Sequence, residues 1–155
     1  MAFSAGIVGF GRAKGRLSAG VDHYLRLLGP YASVSVTMLK PVATRAGRDA
    51  SIEAREHRML SSKWPRGAYP VALAEEGRPM DSRAFAQWVE LRAGAGARVA
   101  FIIGGAHGLP AATKKECAEL ISLSPLTFSH EIALLVLVEQ LYRAFTILQG
   151  HPYHK

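Results

Sequence analysis

The apolar run Phe101-Ile102-Ile103 passes directly into Gly104-Gly105-Ala106-His107-Gly108-Leu109. A strand that ends in Gly-Gly-x-x-Gly leaves backbone without Cβ atoms where the strand stops, so a ligand can approach main-chain N–H and C=O groups there. Taken alone, the spacing equally describes a plain tight turn. Two further segments bear on the choice: Leu123-Ser124-Pro125-Leu126-Thr127-Phe128-Ser129-His130, and the closing His151-Pro152-Tyr153-His154-Lys155. The second combines a stiff proline, an aromatic ring, imidazoles and a cation, a set suited to stacking on an unpaired base and contacting phosphate. A frayed end is its plainer reading.

Other groups are weaker signals. His130-Glu131 begins like a zinc-protease motif, but the position that needs a second histidine is Leu134, and with one cysteine no metal constellation survives. Glu139 and Arg143 are four residues apart, which makes a helix-stabilising pair as readily as a catalytic one. Gly6-x-x-Gly9-x-Gly11 does not have dinucleotide-site spacing, and Arg12, Lys14 and Arg16 stand where a phosphate-binding helix would start. A flexible basic loop fits those residues better.

The elements that must position these groups alternate. Ala2 to Phe10 reads as a buried strand and Ser33 to Leu39 as a second, with helical apolar spacing from Leu17 to Leu28 between them, ended by Gly29-Pro30. A polar helix spans Ser51 to about Ser62, and a strand spans Tyr69 to Leu73. A helix from Ser82 to Ala93 follows the Asp81 cap, and a strand runs from Val99 to Ile103. Pro110 opens a short helix ending near Cys117, Glu119 to Ser122 is a last strand, and one long helix covers about His130 to Gln149. This pattern predicts an α/β fold with a parallel sheet and helices on both faces. Ligands of such sheets bind at the carboxyl ends of strands, here the exits after Leu73, Ile103 and Leu123.

Together the three segments resemble the RlmH (YbeA-like) family of SPOUT-class methyltransferases, over essentially the whole length. The resemblance implies transfer of methyl from S-adenosyl-L-methionine to N3 of a pseudouridine in 23S rRNA, and suggests the assembled ribosome as substrate. It implies a deep trefoil knot in the part from about residue 73 to 155, within a single domain spanning residues 1–155. It carries Leu73, Gly104, Gly105 and Leu123, Ser124, Pro125, Leu126, Thr127 and Phe128 over as cofactor contacts, with leucines sandwiching adenine. One proton must leave N3, and His154, Arg143, Glu139 and His130 are the candidates to assist, with Tyr142 and Tyr153 as stacking or hydrogen-bonding partners. Ala74, after Leu73, and His107, before the last glycine, stand where the family pattern has acidic or amide side chains. A non-catalytic ribosome-binding module of the same fold is the alternative from another class, and an ordinary nucleotide-binding enzyme a third.

Bulk properties agree with a globular RNA-binding protein. At 155 residues, 49% hydrophobic and 20% charged, the chain can bury a core and is too apolar for disorder. No basic region precedes the first apolar residues, no uncharged run approaches the ~20 residues that span a bilayer, and Cys117 stands alone. A cytoplasmic protein without membrane or metal partners is expected, with Cys117 a packing residue. Of the net charge of +7, residues 1–48 carry +6: seven basic residues, among them Arg12, Lys14, Arg16, Lys40, Arg45 and Arg48, against Asp22 alone. A solvated face and a polyanion site both produce such a bias, and clustering in two loops favours RNA. In the last helix Ile132, Leu134, Leu135, Val136, Leu137, Val138, Leu141, Phe145 and Leu148 exceed a one-sided stripe, so a second cover is expected, and a homodimer supplies it.

Overall fold

The computed structural model describes residues 2–12, 14–42, 47 and 49–155. Its strands β1 (Phe3–Phe10), β2 (Ala32–Leu39), β3 (Tyr69–Pro79), β4 (Val99–Ile103) and β5 (Glu119–Ser122) form one sheet in the order β2-β1-β4-β3-β5. Every pairing is parallel. The helices are α1 (Ser18–Leu28), α2 (Ala50–Ser61), α3 (Ser82–Ala95), α4 (Ala111–Glu116) and α5 (His130–Leu148).

Strand alternation divides the core. Phe3, Ala5 and Ile7 of β1, with Val99, Phe101 and Ile103 of β4, face α1, α3 and α5. Val8, Phe10, Ala100 and Ile102 face the other way, against Leu60 of α2 and Leu109, with Cys117 packed beside them. β4 is buried on both faces, so its five residues are apolar without alternation. Burial also pushes the Cys117 thiol up to about 11, as a packing role requires. Start signals are explicit: the carboxylates of Asp49 and Asp81 accept from the amides of Ile52 and Ala84 at 2.9 and 2.8 Å. Gly96 ends α3 at φ 72°, a left-handed position that suits glycine.

Two expectations need correction. β3 does not stop at Leu73. Leu73 and Arg78 both register on Ile121, so residues 74–77 swing out of the ladder and the strand rejoins β5 through Pro79. The polar Glu75-Glu76 pair leaves a buried sheet, and Gly77 allows the return, since a Cβ there would lie 2.7 Å from the Ile121 backbone. In α5 the apolar surplus is largely covered within the chain, because α1 and α3 flank the helix on the sheet. Leu137 and Val138 are fully buried, and the apolar residues left at least partly outside are Ile132, at 41% exposure, with Leu135, Val136, Ile147 and Leu148.

Candidate functional site

Three segments at the carboxyl ends of β3, β4 and β5 enclose a cavity of about 450 Å³. Leu73 to Glu76, the Ile103–Leu109 loop and Leu123 to His130 form its walls, with Lys114 and Ala133 behind them; Pro125 alone among residues 123–130 is not in the lining. The glycine loop is also a tight turn, with the Gly108 amide donating to the Gly105 carbonyl at 3.1 Å and Gly108 at φ 77°. A Cβ on Gly104 would lie 2.6 Å from the Gly108 carbonyl carbon, so this glycine is required by its own loop. A Cβ on Gly105 would meet only Phe10, at 3.4 Å.

Polar contacts fix the other walls. Ser122 Oγ donates to the Ser124 carbonyl, and Ser124 Oγ accepts from the Leu126 amide, both at 3.0 Å. Thr127 Oγ1 donates to Glu75 Oε1 at 2.7 Å, which ties the third wall to the first. Lys114 pairs with Glu76, and that bond holds the Glu76 carboxyl below its usual range. Leu126, 71% exposed, stands at the rim.

The four candidates for proton chemistry separate into two places. His130 lines the cavity, its Nε2 buried without a partner against Gly11. The others gather at the far end of α5. Glu139 Oε1 accepts from Arg143 Nη2 at 2.7 Å, from Arg143 Nε at 3.1 Å and from the Tyr153 hydroxyl at 2.9 Å. Arg143 Nη1 lies 3.2 Å from His154 Nδ1, and its guanidinium covers the Tyr153 ring at 4.7 Å. The bonds to Glu139 raise the Arg143 pKa further. Burial first, then hydrogen bonds to Tyr24 and Glu139, push the Tyr153 phenol well above its ordinary value. The tail is therefore docked, turned back through Gly150 (φ 67°) and the His151 amide bond to the Thr146 carbonyl at 2.8 Å. Tyr142 is nearly buried, its ring centroid 4.9 Å from that of Tyr153. Ala133, on the cavity wall, and Arg143 are ten residues apart on α5, about 15 Å along its axis.

Arg12, Lys14, Arg16 and Lys40 are exposed at the edge that carries the cavity. Phe10 pairs with Leu39, and the Gly11 amide donates to the Leu39 carbonyl, so Arg12 and Lys40 leave adjacent strands at the same end of the sheet. Arg45 and Arg48 lie outside the described residues. Among the described residues no three His, Cys, Asp or Glu side chains are grouped to hold a metal, and no helix is long and apolar enough to cross a membrane.

Residues 3–154 match the model of a family described as predicted SPOUT methyltransferases. The chain belongs to the SPOUT methyltransferase family. Its relatives include proteins named ribosomal RNA large subunit methyltransferase H. That of Gemmatimonas aurantiaca is 43% identical over 117 residues, 74% of this chain and 76% of the relative. Those of Burkholderia ambifaria and Bordetella pertussis are 37% and 36% identical over 142 and 145 residues, covering 91% and 93% of both partners. Among solved structures, a probable methyltransferase from Bordetella pertussis Tohama I aligns with TM-score 0.57 at 14% identity, over 92% of this chain and 94% of that one. TrmJ from Z. mobilis ZM4 aligns with TM-score 0.55 at 13% identity, over 99% and 73%. At those identities the structures speak for the fold alone.

In this SPOUT methyltransferase the sequence reading missed Glu75, Glu76, Leu109, Lys114 and Ala133 as cavity residues. The two acids follow Leu73 closely enough to have been found, whereas nothing near Lys114 in sequence points to Glu76.

Proposed function

We propose that this SPOUT methyltransferase transfers methyl from S-adenosyl-L-methionine to N3 of a pseudouridine in large-subunit 23S rRNA, on the assembled ribosome in the cytoplasm. The observation that carries the reading is the meeting of Leu73, Gly104–Gly105 and Leu123–Phe128 around one cavity. The relatives named as large-subunit rRNA methyltransferases supply the substrate class. The same built cavity disfavours a ribosome-binding module without chemistry.

The residues present suit the cofactor. Leu73, Leu109, Leu123, Leu126 and Phe128 offer apolar surface for a purine, and the glycine loop offers main-chain groups beside Gly105, which has no side chain to obstruct a ribose. Glu75, Glu76 and Lys114 give charged partners for the ends of an amino acid moiety. Bound there, S-adenosyl-L-methionine supplies an activated methyl on a cationic sulfur. The protein's task is to hold the acceptor in line, exclude water and receive one proton.

The chain acts as a single domain whose segment from about residue 73 carries the trefoil knot implied by its family. It works as a homodimer. Glu139, Arg143, Tyr153 and His154 lie too far along α5 to reach the cavity of their own chain, whereas a twofold antiparallel pairing on the Ile132, Leu135 and Val136 face brings each tail toward the partner's cavity. Arg12, Lys14, Arg16, Lys40, Arg45 and Arg48 hold rRNA phosphates, and Tyr153 and His154, backed by Tyr142, meet the nucleotides. The test is transfer of radiolabelled methyl to ribosomes from a strain lacking the gene. Incorporation at a pseudouridine N3 is expected, and ribosomes left unlabelled by the folded protein would refute it.

A further inference from the structure

A second cavity, of about 260 Å³, adjoins the first and shares one wall residue with it, His130. It opens between the β1–α1 segment, β2, α1 and the start of α5, at the edge that carries the exposed Arg12. Val21, Val36, Met38 and Leu134 give it apolar sides, while Arg12 and Asp22 stand in its lining with opposite charge. No element of the cofactor reading uses this space.

Resting on the methyltransferase reading above, we propose that the second cavity is the acceptor subsite, which receives one flipped-out pyrimidine base, and that His130 at the junction takes the ring N–H proton. An N3 position lies on the Watson–Crick edge, so the base must leave its stack to be methylated, and flipped bases are gripped between apolar side chains with polar groups at their edges. A uracil-type ring presents carbonyl acceptors and N–H donors, which Arg12 and Asp22 complement. The cavity, at about 260 Å³, is large enough for one such ring.

His130 is suited to the junction in a way that the tail residues are not. Neither ring nitrogen has a hydrogen-bond partner among the described residues, and Nε2 is buried against Gly11. That leaves Nδ1 as the nitrogen open to the cavities, and the Nε2–H tautomer places its lone pair there. A buried polar atom left unpaired is costly and rare, and a catalytic role is one reason for such an atom to be retained. In the step, Nδ1 takes the N3 proton. The N3 electron pair forms the bond to the methyl carbon, and the carbon–sulfur pair stays on sulfur, so one imidazolium is gained as one sulfonium is lost. Arg12, Asp22, Glu131, Glu75, Glu76 and Lys114 are the charged groups that line the two cavities around the ring.

Two variants test this in the full chain. Ser18→Trp fills the second cavity from the start of α1, and His130→Gln keeps the side-chain volume but removes the base. Calorimetry with S-adenosyl-L-methionine and filter binding to ribosomes should stay within about twofold of native for both, while turnover falls about 100-fold or more, with KM for the cofactor unmoved in His130→Gln. Native turnover by Ser18→Trp with native cofactor affinity would overturn the subsite. Native turnover by His130→Gln would overturn the role of His130. Failure of the native chain itself to bind the cofactor or label ribosomes would instead overturn the proposed function, and the subsite with it.

Discussion

The Tyr153 hydroxyl donates to Glu139 Oε1 at 2.9 Å and lies 3.3 Å from the Tyr24 hydroxyl, so the last turn of chain is pinned to α5 and α1 at one atom. Tyr153→Phe removes both contacts and should cost about 1 kcal/mol in denaturant unfolding at neutral pH. Because the folded-state pKa of Tyr153 is raised, this contribution is complete below about pH 10 and is lost as pH rises above it, where the unfolded chain ionises first. Tyr69 is raised as well, by burial and then by its bond to Glu119, and acts in the same direction. Stability should therefore fall above about pH 10, less steeply in Tyr153→Phe. An identical slope in the variant would show that the phenol is not held as described.

Binding of the cofactor and action on RNA should be separable, because the cavity and the tail occupy different ends of α5. Removing Tyr153 to Lys155, or replacing His154 with Ala, should leave cofactor affinity nearly unchanged in calorimetry while methyl transfer collapses. A tail deletion that methylates at the native rate would reduce the docked tail to packing.

Gly104 and Gly105 should behave differently although they are neighbours. Gly104→Ala forces its Cβ into the Gly108–Leu109 backbone, and overpacking of that kind costs about 1–3 kcal/mol, so both thermal stability and cofactor affinity should drop. Gly105→Ala meets only Phe10 and should change stability by less than about 0.5 kcal/mol, yet lower cofactor affinity if the ligand passes close to that backbone. Unaltered affinity in Gly105→Ala would remove Gly105 from the contact set.

Light scattering at low micromolar concentration should give twice 16.7 kDa for the native chain. Ile132→Glu should shift it to monomer or aggregate, since the residue left most exposed on α5 would then present a charge to an apolar face. A monodisperse, active native monomer would contradict the dimer.

Replacing Arg12, Lys14 and Arg16 with Gln should weaken ribosome binding and flatten its salt dependence, because fewer counterions are released per complex. Cofactor affinity should not move. An unchanged salt slope would place the phosphate contacts elsewhere.

The sequence was most legible where local chemistry decides structure. Val99–Ile103 occurs as expected, since a doubly buried strand must be apolar throughout, and Glu119–Ser122 is the short last strand, at the edge of the sheet. The segments that wall the cavity were legible because strand-exit glycines and the Leu123–Phe128 run are local patterns. What sequence hid was long-range. The return of β3 after Leu73 depends on a close approach of Gly77 to β5, and the pairing of Lys114 with Glu76 joins residues far apart in the chain. The cover of α5 by α1 and α3 was likewise invisible in periodicity, which reports how much of a helix is apolar and not who covers it.

The central claim is tested most directly by mass spectrometry of 23S rRNA nucleosides from cells with and without this gene. One pseudouridine should lose a methyl from N3 when the gene is absent and regain it when the native chain is restored. An identical methylation pattern in the two strains would contradict the account.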